Sequence, residues 1–141
     1  MIREILFRGK RVDNGEWVYG GLLTYNLLKQ QRCLIMSFDV KLVNLKIEAE
    51  QTSEFIIPET VGQFTGLPDK NGTKIFEGDI AKNDAGILFE VFYSQRLGFT
   101  MRRINNKGQF IDGESQWVSV ANYCIFIEVI GNIHEGDKDE E

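Results

Sequence analysis

Two carboxylates stand on either side of one glycine in "KIFEGDI", residues 74–80, and they are the first candidates for chemistry in this 141-residue chain. Read as one strand over 74–82, Glu77 and Asp79 become same-face neighbours about 6.6–6.8 Å apart along the chain. Paired acids at such a distance can act as acid and base on a glycosidic bond. The competing reading is structural: Gly78 bends or bulges the strand, and the acids are solvated or accept backbone N–H bonds. The surrounding "DKNGTKIFEGD" also invites a calcium-loop reading, which the register excludes. With Gly72 at the sixth position, Leu67 and Gly78 fall where carboxylates are required.

Two further constellations carry candidate binding chemistry. In "RLGFTMRRINNKG" (96–108), Arg102 and Arg103 lie among Arg96, Lys107 and Phe99. Cations interleaved with aromatics on a small β-surface suit single-stranded nucleic acid. Adjacent strand residues point to opposite faces, however, which splits Arg102 from Arg103. In "EWVYGG", Trp17 and Tyr19 share a strand face and offer either a binding platform or cross-strand packing.

Several chemistries are excluded by what the chain lacks. The only histidine, His134, opens the acidic end, so Ser-His-Asp and Cys-His catalysis and His-ligated metal sites fall together. Cys33 and Cys124 are 91 residues apart in apolar surroundings and read as small buried hydrophobes. No GxGxxG, P-loop, HExxH or GxSxG pattern occurs, so no cofactor is expected. The net charge is −5, but "HEGDKDEE" (134–141) holds five acids and one lysine. The remainder has 15 basic and 16 acidic residues, a net of −1, without the basic excess of a duplex binder. No apolar run is long enough to span a membrane, and no secretory signal opens the chain. The expected setting is therefore the cytoplasm.

These residues must be positioned by strands. Turn signals recur at "DNG" (13–15), "DKNG" (69–72), "NDAG" (83–86), "NNKG" (105–108) and "DG" (112–113). Runs of about 6–10 residues rich in Val, Ile, Phe and Tyr lie between them, the pattern of an antiparallel sandwich or barrel. Residues 87–93 and 123–133 are apolar on both faces except for Glu90 and Glu128, and read as the best-covered strands. Each of those acids is expected at a strand edge or beside a cation. Residues 43–50 alternate as a half-exposed strand with Val43, Leu45, Ile47 and Ala49 inward; a helix through Phe38, Leu42, Leu45 and Ala49 is the alternative. An offset of 57 aligns Phe7, Gly9, Asn14 and Gly15 with Phe64, Gly66, Asn71 and Gly72, and predicts a strand, an Asn-Gly turn and a strand in each segment.

Three stretches resemble one family: "FRGKRVDNGEWVYG", "IPETVGQFTGLPDKNGTKIFEGDIA" and "EVIGNIHE". In order and spacing they are similar to the YopX family of small bacteriophage and prophage proteins, and they bracket residues 3–135. Residues 26–56 carry no motif of that family and read as a variable insertion. His134 stands where an aromatic is expected. The resemblance implies a mostly-β fold and a phage or prophage home; it brings no catalytic residue. "KIFEGDIA…GILFEVFY" also looks like part of an SH3-like barrel, a fold-level analogy.

The expectation is one mainly-β antiparallel domain over 1–135, barrel-like or sandwich, with eight to ten strands, at most one short helix and an acidic tail at 136–141. The expected function is a non-enzymatic interaction module that meets a host or phage protein or a second copy of itself. A single-strand binder using 96–107 ranks second, and a hydrolase built on Glu77 and Asp79 third.

Overall fold

The computed structural model describes residues 3–111 and 113–135; the acidic tail at 136–141 lies outside them. The described residues form a mainly-β antiparallel structure of eleven strands with one short α-helix. Backbone proximity divides the chain into two compact units, at residues 63 and 64.

The N-terminal unit is a meander. It runs through β1 (Phe7–Lys10), β2 (Trp17–Leu27), β3 (Gln30–Val43) and β4 (Lys46–Ile56), each paired antiparallel with the next. Its small core is Cys33, Ile35 and Ile56, with Phe7, Val18, Leu22 and Val61 packed against it. Gly20 is required by close approach, because a Cβ there would strike the backbone carbonyl of Met36 on the neighbouring strand. The two long hairpins close without glycine. Leu28 and Lys29 (φ 51° and 66°) and Asn44 and Leu45 (φ 51° and 64°) all occupy the left-handed region, as a two-residue type I′ turn demands. This corrects the reading of 43–50 as one strand. Asn44 and Leu45 reverse the chain, so Val43 pairs with Lys46 while Ile47 and Ala49 return along the other strand.

The C-terminal unit begins within β5 (Gly62–Pro68), whose first residues pair with β1 and whose later ones pair with β6 (Lys74–Phe76). It continues through β7 (Asp79–Lys82), β8 (Leu88–Ser94), β9 (Gly98–Ile104), β10 (Val118–Ser119), α1 (Val120–Tyr123) and β11 (Glu128–Asn132). The last five strands form one sheet in the order β10-β9-β8-β7-β11, open at both edges. Ile75 of β6 packs with Ala81, Phe89, Val91 and Met101 of that sheet and with Val120, Cys124 and Ile127. The unit is thus a two-layered, sandwich-like form of the expected fold rather than a closed barrel.

The strand expected over 123–133 is shorter than its apolar run. Residues 120–123 are helical, with Ser119 Oγ accepting from Ala121 N–H at the start of the helix, and 124–126 form a 3-10 turn. Helical backbone turns Cys124 and Val120 inward while Ile125 stays exposed, which explains apolar residues on what alternation reads as two faces. Both cysteines are free and buried, as expected.

Three turn signals become one repeated device. In "DKNGT", "NDAGI" and "NNKGQ" the first side-chain oxygen accepts backbone N–H bonds from the third and fifth residues, at 2.8–3.0 Å. The fourth residue is a glycine with φ of 79–87°. The side chain substitutes for a backbone acceptor and the glycine takes the left-handed conformation. The two segments of the offset-57 comparison both form strand, turn and strand, yet the same offset sets Gly21, within β2, beside Gly78, which has φ of 87° at a turn.

Candidate functional site

The structure takes the acid pair apart. Residues 74–82 are not one strand: β6 ends at Phe76, Glu77 and Gly78 form a turn, and Asp79 opens β7. Gly78 sits at the turn's third position with φ of 87°, where a type II turn needs it. The turn is tied on both sides, with Gly78 N–H donating to the Val91 carbonyl and Ile133 N–H donating to the Gly78 carbonyl. Asp79 is buried, and its carboxylate accepts the Phe76 N–H at 2.7 Å. Glu77 is half-buried on the turn itself. The single strand that was to align the two acids is therefore interrupted, and Asp79 acts as a turn acceptor, the role given in the structural reading.

A second buried carboxylate, Asp69, was readable only as part of a turn. Its Oδ1 accepts from Asn71 and Thr73, and its Oδ2 reaches across to the Val129 N–H at 2.8 Å. The 69–73 turn is thereby fastened to β11. Sequence spacing gives the local bonds, whereas the partner 60 residues away has no sequence signal.

The arginine pair divides as alternation predicts. Arg102 lies among aromatics of its own chain: its guanidinium carbon is 3.2 Å from the Phe110 ring centroid, 4.3 Å from that of Phe92 and 5.6 Å from that of Trp117. Phe92 and Trp117 meet edge to face. Opposite Arg102 on β8 is Glu90, whose carboxyl is pushed above its ordinary value by burial, with the Arg102 charge pulling the other way. Arg103 pairs opposite Phe89, on the other face. Glu128, on the sheet-edge strand β11, accepts a hydrogen bond from Asn71 Nδ2.

Trp17 and Tyr19 share a face of β2 with the residues opposite them on β1, Lys10 and Arg8. Both cations are buried and lie over the indole, Arg8 at 4.6 Å and Lys10 at 5.4 Å from the centroid. Trp17 thus meets its cations within the sheet, while Tyr19 is half exposed.

What alternation did not single out is the distal part of the β3–β4 hairpin. Beyond Met36, β3 passes the end of its pairing with β2, so residues 37–52 form a two-stranded ribbon. Opposed residues share a side. One face carries the rungs Phe38/Gln51, Val40/Ala49 and Leu42/Ile47, and the other Ser37/Thr52, Asp39/Glu50, Lys41/Glu48 and Val43/Lys46. Phe38, Val40, Leu42 and Ile47 are 60–77% exposed, and Leu45 at the tip is 93% exposed. At the hairpin's base the face opposite the apolar rungs carries the core residues Cys33 and Ile35; along the ribbon that same face is polar apart from Val43. The ribbon therefore shows water its apolar side.

At the hairpin's base a groove of about 800 Å³ is lined by Tyr25, Arg32, Cys33, Glu54, Phe55 and Glu59 among others. Burial pushes the Cys33 thiol up, with Glu59 adding to the effect, which disfavours the nucleophilic thiolate. Among the described residues no helix is long and apolar enough to cross a membrane.

A family model described as YopX protein matches residues 6–138. No curated protein matches the chain. Among solved structures, the crystal structure of protein EF1440 from Enterococcus faecalis aligns with a TM-score of 0.55 and 24% identity, over 98% of this chain and 99% of that one. At that identity the likeness concerns the fold.

Proposed function

The chain belongs to the YopX family, and from that premise we propose that it is a phage- or prophage-encoded accessory protein whose work is protein–protein contact rather than catalysis. The observation that carries this reading is the ribbon of residues 37–52. An isolated two-stranded hairpin is marginally stable in water. A contiguous apolar face on such an element marks an interaction surface. The candidate catalytic and nucleic-acid groups lend the competing readings little support. Asp79 holds a turn, and Arg102 is enclosed by its own aromatics.

The test compares tagged wild-type protein with the double variant Leu42→Lys/Ile47→Lys in extracts of a host cell. Wild type is expected to retain a specific companion in stoichiometric amount, and the variant to lose it. Equal recovery by both proteins, or a wild type that neither retains a companion nor associates with itself, would refute the proposal.

A further inference from the structure

We infer that the apolar ribbon face is covered by a second copy of this chain, two ribbons packing face to face about a two-fold axis; this rests on the interaction reading above and names the partner. Three observations favour a copy over an unrelated protein.

The first is area. Phe38, Val40, Leu42, Leu45 and Ile47 are each at least 60% exposed, and together they leave on the order of 600 Å² of apolar surface, at the upper end of what a monomer shows. Two such faces with their tips, wholly covered, remove at most on the order of 1,200 Å² from water, the low end of specific interfaces.

The second is self-complementary shape. Val40/Ala49 is the smallest rung, with Phe38/Gln51 on one side and Leu42/Ile47 on the other. Rungs of one face repeat about every 6.8 Å, and packed sheets lie about 10 Å apart. A two-fold through the Val40/Ala49 rung sets Phe38 of each copy over Leu42 and Ile47 of the other. The large side chains then interleave around the small central rung, and the same patch serves both copies, as an isologous interface requires.

The third is charge. Asp39, Lys41, Lys46, Glu48 and Glu50 all lie on the opposite face, so a copy approaches without burying an ion. The alternative of joining β4 edge to edge brings Glu48 and Glu50 of both copies together. Charged residues along an exposed strand oppose that pairing.

Sedimentation equilibrium of the full chain tests this. Wild type is expected to move from one toward two times 16.2 kDa as concentration rises through the micromolar range. Leu42→Lys/Ile47→Lys is expected to weaken self-association at least 100-fold while unchanged circular dichroism shows the fold intact. Phe38→Glu and Leu42→Lys should each be monomeric alone and associate when mixed, because the two introduced charges then face each other. A monomeric wild type at all concentrations, or a dimer untouched by these variants, would overturn the inference. If wild type is monomeric but still retains a ribbon-dependent companion from extract, the second copy is wrong and the interaction reading stands. If neither occurs, both fall.

Discussion

Removing the carboxylate of Asp69 tests the claim that one buried acid fastens a turn to a distant strand. Asp69 is buried and accepts three backbone N–H bonds, from Asn71, Thr73 and Val129, at 2.8–2.9 Å. A hydrogen bond to an ionised acceptor contributes about 1.5–3 kcal/mol net. Asn71 and Thr73 are exposed, so their freed N–H groups can turn to water; Val129 is half-buried and its N–H is less able to do so. Asp69→Ala is therefore expected to lose about 3–5 kcal/mol, less than the sum of three such bonds. Asp69→Asn keeps an oxygen for the two local bonds but sets an amide N–H against the Val129 N–H, and should lose about 1.5–3 kcal/mol. Against a total of about 5–15 kcal/mol, the alanine variant is severe. Guanidinium unfolding followed by tryptophan fluorescence measures this. In a Trp17→Phe background the remaining indole, Trp117, reports on the unit that contains Asp69. A loss below about 1 kcal/mol for Asp69→Ala would refute the reasoning, as would an asparagine variant as unstable as alanine.

Other perturbations read other parts of the structure. Leu45→Gly removes a side chain held at φ of 64°; the relief of about 1–2 kcal/mol exceeds glycine's entropic cost of roughly 0.5–1 kcal/mol, so amide exchange across 40–49 in dilute protein should slow several-fold. Arg102→Ala empties the space between Phe92, Phe110 and Trp117 and should destabilise by about 2 kcal/mol, with a shift in Trp117 emission; unchanged stability and emission would contradict the stacking. Glu90 titrates higher in the folded protein than in the unfolded chain, so between those two values the native state binds more protons. Its contribution to stability therefore falls as pH rises through that window. Glu90→Gln should raise the melting temperature at neutral pH relative to wild type, and the gap should narrow in acid below the unfolded carboxylate value. A gap that is constant with pH would contradict burial as the cause.

How much of this was readable depends on the physics each element uses. The loops at 69–73, 83–87 and 105–109 were legible because an Asx side chain and a glycine specify them locally. The hairpin turns at Leu28–Lys29 and Asn44–Leu45 were not, since no glycine marks their left-handed residues and the long strands impose them. That omission hid the ribbon: with 43–50 read as one strand, Leu45, Ile47 and Ala49 face inward, whereas the turn places Leu42 opposite Ile47 on an exposed face. Alternation separated Arg102 from Arg103 correctly, but Phe110 and Trp117 come to Arg102 from outside its strand and leave no local trace. The same holds for Asp79, whose turn ends the strand that would have aligned it with Glu77.

The ribbon's two faces are expected to have different fates, and adjacent residues provide the contrast. A photo-reactive amino acid introduced at position 42, on the apolar face, should cross-link in the cell to the protein that covers it. The same residue at position 41, on the charged face, should give little product. Equal yields at both positions, or no product at position 42, would contradict the claim that this face is where the protein makes its contacts.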